Sequence, residues 1–191
     1  SEGSYINRPR TSIVKGVNGL DGIPWPLRSY WPLDDVYSIN PVGHLNWEGK
    51  WQDGENRTGK KSLSILASRG CPYAKSACDY CYASYLGQSY RLRSPSDVVN
   101  EMVFLKNRYG VDYIHFLDDL FMTDWKWVLE FCDLLEKKNQ QNGFFVEWGG
   151  SCRSNIVADD VVRAKKQSRK NFVERGKEVG LVHIGFGLET A

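Results

Sequence analysis

Short apolar segments alternate with longer amphipathic segments from Lys61 onward. Four apolar segments are predicted to be strands, at residues 62–68, 113–117, 144–148 and 182–186. Residues 94–109 and 125–138 carry apolar side chains at helical spacing. Residues 158–179 form a charged helical stretch, with a break expected near Gly176. The order β–loop–α–β–α–β–α–β predicts an α/β fold of parallel strands joined by helical crossovers.

The N-terminal part of the chain lacks this periodicity. Segments 22–26 and 40–43 are rich in Gly and Pro and favour turns and extended chain. We therefore expect an irregular lead-in over residues 1–60, anchored by its tryptophans. Residues 61–191 then form a domain with the first four βα steps only. Four steps do not close a barrel, so a partial (β/α) barrel is the predicted architecture.

A polar or glycine-containing cluster follows each predicted strand. The first strand is followed by cysteines, and the later clusters contain Asp118 and Asp119, then Ser151 and Arg153, then Gly187 and Glu189. Parallel α/β sheets bind ligands at the carboxyl ends of their strands. The four clusters are therefore expected to contribute to one site.

Three of the five cysteines, Cys71, Cys78 and Cys81, lie within eleven residues. The odd number and the close spacing argue against a secreted disulfide framework and favour a reducing compartment. Three thiolates can ligate three irons of a [4Fe–4S] cluster and leave the fourth iron open to a small molecule. A zinc site completed by His44 or another cysteine, and thiols without metal, are the alternatives. The other two cysteines, Cys132 and Cys152, are interpreted as buried core residues.

Composition and charge limit the classes of partner that the chain is expected to bind. The chain has 191 residues, of which 41% are hydrophobic, and a formal net charge of +2. This balance gives no electrostatic reason to expect nucleic acid or an anionic membrane as partner. No run of 18 apolar residues is present, and the N-terminus lacks the apolar core of a signal peptide. We expect a cytoplasmic protein without membrane or nucleic-acid partners.

The cysteine segment, with Tyr80 directly before its last cysteine, resembles the radical S-adenosylmethionine (SAM) superfamily. The usual spacing in that family is C-x3-C-x2-C, whereas the first spacing here is C-x6-C. The resemblance covers residues 62–190. It implies an enzyme with a [4Fe–4S] cluster on Cys71, Cys78 and Cys81. The implied reaction is reductive cleavage of SAM to a 5′-deoxyadenosyl radical, followed by hydrogen abstraction from a substrate.

The resemblance also implies which residues surround SAM. Tyr80 would pack near the adenine, and the Asp118–Asp119 pair would meet the amino group, since carboxylates suit an ammonium. The alternative for the pair is a helix cap, which Asp124 could provide instead.

Residues after the third and fourth strands complete the implied set. Ser151 and Arg153 would face SAM, because a guanidinium can bind a carboxylate through two hydrogen bonds. The alternative for Arg153 is a surface ion pair with Asp159 or Asp160. Gly187 would allow close approach of the backbone, and Glu189 would accept hydrogen bonds from the ribose.

Three further features resemble the cobalamin-dependent branch of the family. They are the Asp-Asp-x-Phe sequence, the Gly-x-Gly-x-Glu-Thr sequence, and a lead-in with segments 20–27 and 32–37. The branch implies cobalamin, expected from a domain outside these 191 residues, and a methyltransferase-like reaction. The substrate would be a small molecule or a peptide, and the electron donor a flavodoxin or ferredoxin. A zinc-stabilised binding module and an inactive truncated homologue are the competing interpretations.

Overall fold

The computed structural model describes residues 20–30, 61–73, 81 and 90–187. A 3₁₀ turn spans Arg28–Tyr30. The other elements, in chain order, are β1 (Ser62–Ile65), β2 (Ser68–Arg69), β3 (Arg91–Leu92), α1 (Pro95–Tyr109), β4 (Tyr113–Phe116), α2 (Trp125–Asn142), β5 (Glu147–Cys152), α3 (Ser154–Lys166), α4 (Phe172–Glu178) and β6 (Leu181–Phe186).

Four strands form one sheet in the order β1-β4-β5-β6. All neighbouring pairs in this sheet are parallel. The helices α1 to α4 provide the crossovers, so each strand lies beside its successor, as in a barrel that has not closed. The predicted α/β class and partial-barrel architecture are confirmed.

Local sequence signals set the ends of the two long helices. The Ser94 side chain accepts a hydrogen bond from the Asp97 amide at the start of α1, and Pro95 occupies the first turn. Gly110 ends α1 with φ 68°, a left-handed conformation that glycine adopts without a Cβ penalty. Asp124 caps α2 through the Lys126 amide, as the sequence allowed.

Several predicted boundaries are wrong. The first strand was expected at 62–68, but β1 ends at Ile65, and Ser68 belongs to the separate sheet of β2 and β3. The third strand was expected at 144–148 but runs from Glu147 to Cys152, so Ser151 lies within the strand and not after it. The helical break falls at residues 167–171 and not near Gly176, which lies inside α4. A Cβ on Gly176 would lie 2.7 Å from the Leu181 side chain, so this glycine is needed for close packing of α4 on β6.

An aromatic core packs between the sheet and the helices. Phe131 of α2 lies at its centre, with ring centroids 5.1 Å from Trp148, 5.8 Å from Phe116 and 5.3 Å from Trp127. Edge-on and stacked pairs of this kind add to the free energy of simple burial. Both Phe131 and Trp148 are fully buried.

Residues 20–30 of the lead-in lie against α1 and β1. The Trp25 indole donates to Asp97 over 3.1 Å. Arg28 donates to Glu101 over 3.0 Å and to the Ser64 carbonyl over 2.9 Å. The described part of the lead-in is thus bound to the domain through one tryptophan, as predicted, and also through a buried ion pair. The extent of the two predicted domains stays a prediction.

Within the described residues, none of the helices combines the length and the apolar character needed to cross a bilayer.

Candidate cluster and cofactor site

A short antiparallel ladder closes the cysteine loop, which we define as residues 70–90. Ser68 pairs with Leu92 and Arg69 pairs with Arg91 across β2 and β3. The Arg93 amide adds a hydrogen bond of 2.8 Å to the Ala67 carbonyl. Bringing the two ends together in this way removes part of the entropy cost of ordering a long loop.

Asp118 lies at the carboxyl end of β4, beside the start of the cysteine loop. Both of its carboxylate oxygens accept a hydrogen bond of 3.1 Å from the Ala67 amide. The Ser68 hydroxyl donates to the same carboxylate. Only 7% of Asp118 is exposed, and burial raises the pKa of its carboxyl, while the bonds from Ser68 and Ala67 oppose that rise. The Asp118 side chain is therefore directed toward the loop base.

The other end of the loop is fixed by Tyr90. Its hydroxyl shares a hydrogen bond with the Thr123 hydroxyl in the segment after β4. Burial raises the pKa of Tyr90, so its hydroxyl stays protonated at neutral pH. Sequence reasoning missed Ser68, Tyr90 and Thr123, because isolated hydroxyl residues give no pattern signal.

The described cysteines fall into two environments. Cys71 and Cys81 of the loop are half-buried, whereas Cys132 and Cys152 are fully buried. Burial raises the pKa of Cys132 to about 12 and that of Cys152 to about 11. Their interpretation as core residues is confirmed. Among the described cysteines, Cys71 and Cys81 are the two that lie outside the core.

Arg153 connects the end of β5 to the cysteine loop. Its guanidinium lies 4.5 Å from the centroid of the Tyr73 ring, a cation–π contact. The suggested ion pair with Asp159 or Asp160 is absent, and Asp160 instead binds Arg169 and the Phe172 amide. Thus the third-strand cluster and the cysteine loop meet, as their positions at strand ends predicted.

Ser151 joins β5 to the segment after β4. Its hydroxyl accepts from the Phe121 amide over 3.1 Å and lies 3.3 Å from the Asp118 carbonyl, to which it donates. Its carbonyl accepts from the Met122 amide over 3.0 Å. The predicted Ser151 and Asp118 clusters are therefore brought together.

The remaining predicted residues differ in what the structure shows. Asp119 and Gly187 are exposed, and Asp119 follows the buried Asp118 directly. Cys78, Tyr80 and Glu189 lie outside the described residues, as does His44 of the zinc alternative. The SAM-binding and metal-binding roles of all these residues stay predictions.

The face of the sheet opposite the helices carries polar residues that sequence reasoning did not select. The Tyr113 hydroxyl lies 3.2 Å from His115 Nδ1. A Cβ on Gly149 would come within 2.8 Å of both the Tyr113 hydroxyl and His183. With glycine at this position, the side chains of Tyr113 and His183 can both pack on this face of the sheet. The alternation of Tyr-Ile-His-Phe in β4 was the available signal, since alternate strand residues share a face.

The donor set fits an iron–sulfur cluster. Fe–S clusters are bound by cysteine thiolates. Cys71 lies two residues after β2, at the end of the sheet where parallel folds bind ligands, and both Cys71 and Cys81 are half-buried.

Comparison with a family profile decides the class of protein. The profile of the Radical SAM superfamily matches residues 65–191, more than half of the chain. The chain belongs to the radical SAM superfamily. The predicted family resemblance is confirmed, and the membership supports the prediction of an enzyme.

Curated relatives carry enzyme names. An anaerobic magnesium-protoporphyrin IX monomethyl ester cyclase of Cereibacter sphaeroides is 29% identical over 93% of this chain and 27% of its own length. An uncharacterized methyltransferase of Pyrococcus horikoshii is 29% identical over 99% of this chain and 33% of its own length. The chain therefore spans about a quarter to a third of these relatives.

Solved structures with the same fold include the cobalamin-dependent SAM radical enzyme OxsB. Its apo form matches 70% of this chain and 19% of its own, with a TM-score of 0.53 and 17% identity. The form with aqua-cobalamin and SAM bound gives a TM-score of 0.54 at 18% identity, over 68% of this chain and 18% of its own. At these identities the likeness concerns the fold, and it agrees with the predicted architecture.

Proposed function

We propose that the chain is the cluster-binding and SAM-binding part of a radical SAM enzyme that cleaves SAM reductively to a 5′-deoxyadenosyl radical. Cys71, Cys78 and Cys81 would hold a [4Fe–4S] cluster. When bound, this group supplies one electron to the sulfonium of SAM. The observation that carries the proposal is the position of the cysteine loop. It leaves the carboxyl end of the parallel sheet, where Arg153 contacts it from β5.

The protein residues would orient SAM and limit access of water. Asp119 is the exposed member of the aspartate pair, so it is the better candidate for the amino group of SAM, since Asp118 is occupied by the loop base. Arg153 combines a positive charge with a position beside the loop, which suits the carboxylate of SAM. Ser151, Gly187, Glu189 and Tyr80 complete the proposed set.

The branch and the partners are proposals at a finer level. The names of the relatives include cyclases and methyltransferases, and the OxsB structures are of a cobalamin-dependent enzyme. These support a methyltransferase-like or cyclase-like reaction, with any cobalamin bound through other parts of the protein. A flavodoxin or ferredoxin would supply the electron, and the lack of a disulfide among the described cysteines suits the reducing cytoplasm.

The test is anaerobic reconstitution of Cys78→Ala with iron and sulfide beside the unaltered protein. The proposal expects the unaltered protein to gain iron–sulfur absorbance and to cleave SAM under reduction. Because three thiolates are required, Cys78→Ala should lose both. Cys132→Ala is the matched control, since that thiol is buried in the core and should not affect the absorbance.

Three results would contradict the proposal. SAM cleavage that survives in Cys78→Ala would show that this thiolate is not needed. About one equivalent of zinc and no iron in the protein as purified anaerobically would favour the zinc-stabilised module. A cluster that forms without any binding of SAM in a calorimetric titration would indicate an inactive homologue.

A further inference from the structure

We infer that Asp118 is a positioning residue that holds the base of the cysteine loop, and not a ligand of SAM. This inference rests on the proposed function, because it concerns how the chain presents the proposed cluster ligands. The juxtaposition that carries it is the buried carboxylate of Asp118, just after β4, against Ala67 and Ser68, which lie three to four residues before Cys71.

The first step is that the loop base provides the donors that bind the carboxylate. Ala67 and Ser68 provide one amide and one hydroxyl, and these donate to Asp118 from within the chain. Asp118 is 7% exposed. A buried carboxylate that binds the chain's own donors presents little of its surface to an ammonium from a ligand.

The second step is that the same donors belong to the ladder that closes the loop. Ser68 is in β2 and pairs with Leu92 of β3, while the Ala67 carbonyl accepts from the Arg93 amide. Asp118 thus binds the ladder from the β4 side. A shift of β2 would move the start of the loop relative to the ends of β1 and β4, and the carboxylate opposes that shift.

The third step is a corresponding set of contacts at the end of the loop. Tyr90 is bound to Thr123, and Arg93 donates 2.6 Å bonds to Asp97 and to the buried Glu101. Both ends of the loop are therefore tied to the carboxyl side of the sheet and to α1. The cluster ligands are carried between two fixed points, which is how outer residues orient metal ligands.

The test compares Asp118→Ala with Asp160→Ala, a matched control. Asp160 is also fully buried, and it accepts from the Phe172 amide over 2.7 Å and from Arg169, far along the chain from the cysteine loop. Both variants remove a buried carboxylate that binds a backbone amide. Only the first should affect the loop.

Two readouts are measured at a temperature where both variants are folded. Hydrogen exchange of the cluster-free protein should rise by about 5-fold or more in peptides containing Ala67 in Asp118→Ala, and not in Asp160→Ala. After reconstitution, loss of iron to a chelator should be about 10-fold faster in Asp118→Ala. Asp118→Asn should recover much of both properties, because its amide oxygen can still accept from Ala67 and Ser68. It also provides the test if the alanine variant does not fold.

The outcomes separate this inference from the proposed function. Iron retention and exchange in Asp118→Ala equal to those of Asp160→Ala would overturn the inference and leave the proposed function standing. A SAM affinity lost in Asp118→Asn while iron retention stays unchanged would also overturn it, in favour of direct contact with SAM. If the unaltered protein takes up no iron, the proposed function fails, and the exchange experiment alone decides whether Asp118 holds the loop.

Discussion

The aromatic core and the carboxyl ends of the strands are stabilised in different ways. Between the sheet and the helices, Phe116, Phe131 and Trp148 pack ring against ring in a core that excludes water. At the carboxyl ends of the strands, individual hydrogen bonds accepted by Asp118 and Ser151 join segments that are distant in sequence. Burial depends on area and is tolerant of direction, whereas hydrogen bonds depend on geometry. Substitutions in the core should therefore mainly lower the free energy of unfolding. Substitutions at the strand ends should mainly change the positions of the segments that the hydrogen bonds join.

The largest effect is expected for Phe131→Ala. Truncating a buried aromatic leaves a cavity and removes contacts to four other rings, so the free energy of unfolding should fall by about 3–5 kcal/mol. Urea unfolding followed by tryptophan fluorescence measures this loss. Phe145→Ala is the control, because 49% of Phe145 is exposed, and it should change stability by no more than about 0.5 kcal/mol. Equal losses in the two variants would contradict the core described above.

The sequence predicted the core side better than the strand ends. The apolar segments and helical spacing located every strand of the main sheet and the two long helices, because burial of an apolar face imposes a period. The predicted range of the third strand was too early in the chain, because it was ended before Gly149 and Gly150. In the structure they lie in β5, where a Cβ would meet His183 and Phe121 at 2.8 Å. Glycine therefore marked close packing here and not a turn.

At the strand ends, the sequence indicated the right neighbourhood but not the orientation of side chains. The clusters after β1, β4 and β5 do meet, as the contacts of Arg153 with Tyr73 and of Ser151 with Phe121 show. The inward direction of Asp118 could not be predicted, since it depends on an amide and a hydroxyl about fifty residues earlier. The pattern of residues along a chain does not indicate which distant residues form a hydrogen bond.

A second prediction compares the cysteines of the core with those of the cysteine loop. Alkylation requires the thiolate, and burial raises the pKa of Cys132 to about 12 and that of Cys152 to about 11. At pH 8 both should stay protonated and react with iodoacetamide about a hundredfold or more slowly than Cys71 and Cys81. Their reactivity should rise only as the pH approaches these raised values. Peptide mass spectrometry of the cluster-free, reduced protein measures the rates.

The control for this prediction is the same labelling in denaturant, where the four thiols should react at similar rates. If Cys132 is modified in the native protein as fast as Cys71, the core is open on the side of α2. Protection of Cys71 and Cys81 after reconstitution would add support for their proposed role as ligands.

The smallest effect is expected where the strand ends meet the cysteine loop, at Arg153 and Tyr73. An exposed cation–π contact contributes about 0.5–1 kcal/mol, so Arg153→Ala and Tyr73→Leu should each lower stability by about that amount. If the two side chains act through one contact, the double variant should lose no more than the larger single loss, which is a coupling of about 0.5–1 kcal/mol. Urea unfolding of the four proteins provides the cycle, and Arg153→Lys shows whether charge alone is sufficient. Strictly additive losses would mean that the contact does not join the third strand to the loop, and Arg153 would then have no role in positioning the cysteines.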